Sequence, residues 1–148
     1  LTKPEDMLAK PVLFTIKPNG AVEQHTFTGS SEFPKVHDHL VGLANSRLFY
    51  ISSHSDSIWN DTVTCLNTET GTQDIYYYGE DFLVEEHISV CPRQKMGTGY
   101  IIGTALHVPS KRTCLNVFQE NRVADGPIGR AWLSHHLPLG FHGHFAAG

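Results

Sequence analysis

Apolar and polar residues alternate along most of this chain, or gather into short runs rich in β-branched and aromatic side chains. Helical spacing is nearly absent. Residues 13–16 and 22–27 read as two strands around Lys17-Pro18-Asn19-Gly20, where Asn19-Gly20 supplies the positive φ angles of a tight hairpin turn. Residues 48–52 predict a third strand. Residues 62–66 and 73–78 flank Asn67-Thr68-Glu69-Thr70-Gly71, and residues 100–106 and 113–118 flank Val108-Pro109-Ser110-Lys111. Each pair predicts a further hairpin. A strand over 88–91 stops before Pro92, and another over 128–133 follows the turn at Ala124-Asp125-Gly126-Pro127. Strands thus recur about every eight to twelve residues, which is an all-β signature.

The rhythm is a strand, then a hairpin with a polar turn, then a longer connection. Residues 48–78 follow it, and so do 101–133. Four-stranded units repeated around an axis make a propeller, and their sequences share little beyond this rhythm. Periodicity alone leaves a propeller and a sandwich both open. No interdomain linker or low-complexity tract interrupts the 148 residues.

Charge and cysteine content narrow the function. The net charge is −4 and the eleven basic residues are scattered, so no basic face exists to neutralise nucleic-acid phosphates. Cys65, Cys91 and Cys114 are widely spaced and odd in number, which fits neither a disulfide framework nor a zinc pattern. Buried reduced thiols in a cytoplasmic protein are expected. No apolar run has the length of a membrane span. The chain opens at Leu1 and reaches its first strand almost at once, with no signal or transit-like segment, so a fragment of a longer reading frame is expected.

Ten histidines are the one compositional excess. His25, His37, His39, His54 and His107 read as surface or loop residues without partners. His142 stands out, because Gly140 and Gly143 frame it and leave room for a crowded centre. His144 is two residues further on and faces the same side if the segment is extended. Adjacent His135 and His136 face opposite ways. Glu32 precedes Phe33-Pro34, and Glu85 and Glu86 head a strand, where adjacent side chains point to opposite faces. A buried carboxylate needs a partner, and the second N–H of a metal-bound imidazole is a suitable one. No Ser/His/Asp order, P-loop, GxGxxG, HExxH or CxxC motif occurs.

Three segments taken together carry a resemblance: Glu32-Phe33-Pro34-Lys35-Val36, then Glu85-Glu86-His87-Ile88-Ser89-Val90-Cys91-Pro92-Arg93, then Leu137-Pro138-Leu139-Gly140-Phe141-His142-Gly143-His144-Phe145. In this order, with hairpins between them, they resemble the C-terminal part of carotenoid cleavage oxygenases, and most of all the lignostilbene dioxygenase branch. The resemblance implies the C-terminal blades of a seven-bladed β-propeller, with residues 1–148 part of that single domain. It implies a non-haem iron(II), Fe(II), bound by four histidines, with three glutamates behind them orienting three of the four. His142 matches the fourth iron ligand. Glu32 and Glu86 match two of the glutamates, with Glu85 the alternative to Glu86. His144 is implied to be a neighbour of the centre and His87 no ligand, while the remaining histidines and glutamate belong to earlier blades. The stretch from Asp125 to Ala131 resembles the segment leading into the final blade closure.

The activity implied is O₂-dependent cleavage of a carbon–carbon double bond in a carotenoid, apocarotenoid or stilbene, giving two carbonyl products. Its partners would be an apolar polyene or stilbene and O₂, with no organic cofactor and no nucleic acid. The fragment alone is expected to be inactive. Two other classes remain open: a non-catalytic propeller used as a binding module, and a metal-storage tail built on His135, His136, His142 and His144.

Overall fold

The computed structural model describes residues 8–43, 45–55, 57–90 and 99–146. Strands β1 (Val12–Ile16) and β2 (Val22–Thr26) form a two-stranded hairpin, turning at Gly20 with φ 81°. Four consecutive strands follow as one antiparallel sheet: β3 (Glu32–Lys35), β4 (Arg47–Ser52), β5 (Thr62–Asn67) and β6 (Gln73–Tyr77). A second sheet is built the same way from β7 (Phe82–Val90), β8 (Tyr100–His107), β9 (Arg112–Gln119) and β10 (Gly129–Trp132). Each sheet uses strands consecutive in sequence, and neither exchanges a strand with the other. These are successive propeller blades, and the expected all-β class holds.

The core lies between the blades. Phe49, Ile51, Val63 and Cys65 from the first sheet meet Val84, Ile101, Ala105, Cys114 and Phe118 from the second. Strands β8 and β9 bury alternate residues, as a half-covered strand should. Strand β5 is buried on both faces, and its other side packs Leu66 with Tyr50 and Phe27. Cys65 and Cys114 are buried free thiols, as expected, and burial raises the Cys65 pKa to about 11. Cys91, with the rest of segment 91–98, lies outside the described residues.

Polar groups join the two blades. The Asp74 carboxylate on β6 accepts the backbone N–H groups of Val123 and Ala124, at 2.7 and 2.9 Å. These open the short 3-10 turn Val123–Asp125 that precedes β10, so Asp125-Gly126-Pro127 is held against the first blade. His37 departs from the surface role expected of it. It is 3% exposed, and its Nε2 lies 2.6 Å from Oε2 of Glu120, which Arg47 also approaches at 3.4 Å. Sequence distance hid this partner. His25, His54 and His107 pack against Phe27, Tyr77 and Phe82 respectively.

Strand β7 carries a β-bulge. Val84 pairs with Ala105 and His87 with Gly103, so Glu85 and Glu86 together oppose Thr104. His87 is buried against Gly103 at this point. Its Nδ1–H donates to the Glu85 carbonyl at 2.8 Å, and its Nε2 accepts from the Tyr78 hydroxyl at 3.0 Å. Burial lowers the His87 pKa from 6.5 to about 4, against the opposing pull of that carbonyl. Between these values the unfolded chain takes up a proton that the folded one refuses, so stability falls as pH drops through the window. The span corresponds to roughly 3 kcal/mol from this residue. Urea unfolding of parent and His87→Gln proteins at pH 7 and pH 4 should show that part of the acid loss in the parent only.

Candidate active site

After β10 the chain crosses the second blade from its outermost strand to its innermost. Thr113 on β9 holds the start of this crossing, donating its N–H to the His135 carbonyl at 3.1 Å and accepting the Leu137 N–H on Oγ1 at 2.9 Å. Glu85 on β7 then accepts the Gly140 N–H at 2.6 Å, and Glu86 accepts the Gly143 N–H at 2.6 Å. His142 lies between these anchors, with Nδ1 3.4 Å from Oε1 of Glu86. Phe33 on β3 meets the imidazole edge-on with ring centroids 5.5 Å apart, and also packs on Phe141. The segment is therefore fixed by the first strands of both blades.

Glu86 is the centre of this arrangement. Its side chain is 3% exposed, and Lys35 Nζ from β3 comes within 2.9 Å. Burial opposes ionisation, but the Gly143 N–H, Lys35 and His142 outweigh it and hold the carboxyl below its usual range. An ionised carboxylate facing Nδ1 keeps that nitrogen protonated and leaves the Nε2 lone pair free for a metal. The His142 side chain is 75% exposed, so Nε2 is not walled in by this chain. These residues fit the role of one metal ligand with its orienting carboxylate. Among the described residues no group of three or more His, Cys, Asp or Glu could hold a metal ion.

The structure brings Glu86 and His142 into contact, while Glu32 lies next to Phe33, whose ring meets the imidazole. Glu32 accepts from Asn60 Nδ2 at 2.9 Å and borders a cavity of about 230 Å³ shared with Phe33, Trp59, Glu85, Gly140 and Phe141. His144 borders a different cavity of about 430 Å³, with Lys35, His37, His39 and Ser89. Glu85 and Glu86 do not split between inside and outside as two neighbours on a regular strand would. The bulge lets both reach the segment that carries His142. Sequence reasoning missed Lys35 and Phe33 as contacts, although both stand within the Glu32-Phe33-Pro34-Lys35 motif.

Comparison with known proteins places this fold in a class of β-propeller proteins. The structure superimposes on a cobalt-substituted Synechocystis apocarotenoid oxygenase with a TM-score of 0.84 at 22% identity, over 93% of this chain and 30% of that one. A glutamate-to-aspartate variant of the same oxygenase gives 0.84 at 23% identity, with the same coverage. A chimera of apocarotenoid oxygenase and RPE65 gives 0.80 at 21% identity, over 88% of this chain and 29% of that one. The chain thus spans about 30% of the length of these relatives. No curated protein sequence matches it. The model of the RPE65 family, retinal pigment epithelial membrane protein, matches residues 3–147, and the chain belongs to that family. Among the described residues no helix is long and apolar enough to cross a membrane.

Proposed function

We propose that this chain supplies one ligand and part of the wall of an iron(II) centre, in a cytoplasmic dioxygenase whose remaining blades lie outside it. The substrate class is an apolar carotenoid, apocarotenoid or stilbene, cleaved at a double bond with O₂ to two carbonyl products. The observation that carries this reading is the Glu86–His142 contact, with its Nε2 left free on the exposed side. Iron(II), when bound, would supply the redox chemistry by which O₂ attacks the alkene.

The chain's own residues orient and shield. Glu86 holds the proton on Nδ1 of His142, Lys35 keeps Glu86 ionised, and the Phe33 ring fixes the imidazole plane. Glu32, steadied by Asn60, is the corresponding carboxylate for a histidine outside this chain. The Glu85-Glu86-His87 motif, which resembles the lignostilbene branch, is the ground for including stilbenes.

In the full-length protein His142→Ala is expected to remove both iron and turnover, while His144→Ala retains iron. Elemental analysis alongside oxygen-dependent cleavage of a hydroxystilbene and of an apocarotenoid checks this, and the better substrate assigns the branch. Stoichiometric iron in the His142→Ala protein would overturn the reading of His142 as an iron ligand. The 148-residue chain alone, with one imidazole at the site, is expected to hold no iron.

A further inference from the structure

Glu85 has no part in the contact between Glu86 and His142, yet it is committed to the same segment. One carboxylate oxygen accepts the Gly140 N–H at 2.6 Å, and the other accepts the hydroxyl of Thr104, the residue opposite the bulge. On a regular strand Glu85 would face away from its neighbour Glu86. The extra residue between Val84 and His87 re-aims it. Two adjacent carboxylates consequently hold a four-residue stretch at both ends, Glu85 at Gly140 and Glu86 at Gly143, with His142 between them. Both ends of the stretch are therefore anchored through backbone N–H groups.

Strand β3 repeats the device. Glu32 pairs with Ile51 and Lys35 with Phe49, so β3 also has a register shift next to its glutamate. Phe33 takes φ 52° there, a left-handed conformation that costs a non-glycine residue energy, and its ring rests on Phe141 and His142. The His142 segment is therefore set between two irregular first strands. With Gly140 released, that end would be left to the packing of Phe33 and to the Leu137–Thr113 bond further back.

We propose that Glu85 is a positioning residue for the metal centre, acting through the Gly140 backbone to set where His142 stands. This rests on the reading of His142 as an iron ligand. Glu85→Ala in the full-length protein is expected to lower iron(II) affinity about 10- to 100-fold, the usual consequence of losing a group that supports a ligand. Glu85→Gln keeps a carbonyl oxygen for the Gly140 N–H and is expected to restore most of that affinity. Amide exchange in the metal-free protein adds a readout independent of activity: protection of residues 140–143 should fall in Glu85→Ala and return in Glu85→Gln. Should Glu85→Ala fail to fold, Thr104→Val removes the support of the far oxygen and should show the same losses in smaller measure.

Unchanged iron affinity and unchanged exchange in a folded Glu85→Ala or Thr104→Val protein would overturn the proposal. Equal loss in Glu85→Ala and Glu85→Gln would also overturn it, by pointing to charge rather than to the backbone anchor. If His142→Ala retains iron, the ligand reading itself fails. If His142→Ala loses iron and Glu85→Ala does not, only the role of Glu85 falls.

Discussion

Gly103→Ala is expected to destabilise the protein by at least about 3 kcal/mol, at the upper end of what overpacking costs. A β-carbon at this position would stand 2.3 Å from Cγ of His87, 2.4 Å from Nδ1 and 2.6 Å from Cδ2. No real contact is that short, so something must move. The ring is poorly placed to do so, being fully buried, hydrogen-bonded at both nitrogens and packed beside Tyr78 and Phe118. Moving it would release the Glu85 carbonyl and with it the bulge that aims both carboxylates. Urea denaturation of the parent, Gly103→Ala and the Gly103→Ala/His87→Ala double variant checks this. The double variant should recover part of the loss relative to the sum of the single changes. A cost under about 1 kcal/mol for Gly103→Ala would show that the ring is free to shift.

Glu120→Ala is expected to cost about 1–3 kcal/mol, the range for leaving a buried polar group without its partner. Glu120 is 1% exposed and faces His37 from the other blade, with Arg47 also in range. Its loss leaves the buried His37 imidazole at the blade junction without that partner, and a desolvated group without a partner carries the full penalty. Glu120→Gln keeps an acceptor oxygen and should lose much less. Thermal and urea unfolding of both variants, compared with the parent, separates the two expectations. Equal stability in Glu120→Ala would mean that apolar packing alone holds the blades together.

The hairpins of this fold were legible because turn chemistry and alternation agree. Asn19-Gly20, Asn67 to Gly71 and Val108 to Lys111 each separate two runs that became paired strands. Strand β3 was not legible. Pro34 argues against a strand, and the positive φ of Phe33 breaks its alternation, so Glu32-Phe33-Pro34-Lys35 read as a motif only. The β7 bulge was hidden for a related reason, since one extra residue shifts the period by one and looks like two neighbouring polar positions. His37 looked like a loop residue because its partner Glu120 lies in the other blade. His142, Glu32 and Glu86 were reached through resemblance, not spacing, because groups so far apart in sequence meet only once the sheets are formed. In the structure Glu86 contacts His142, and Glu32 accepts a hydrogen bond from Asn60.

The distance along the chain between the two members of that contact also sets an order of events. His142 follows Glu86 by 56 residues, and every strand of the second blade from β8 to β10 lies between them. During synthesis Glu86 and Lys35 leave the ribosome well before the imidazole they are to hold. A carboxylate and a lysine side by side can wait in a half-built blade, each partly satisfying the other. The crossing segment cannot dock until β9 presents Thr113 and β7 presents its two glutamates. Docking of the His142 segment is therefore a late step in the folding of this chain.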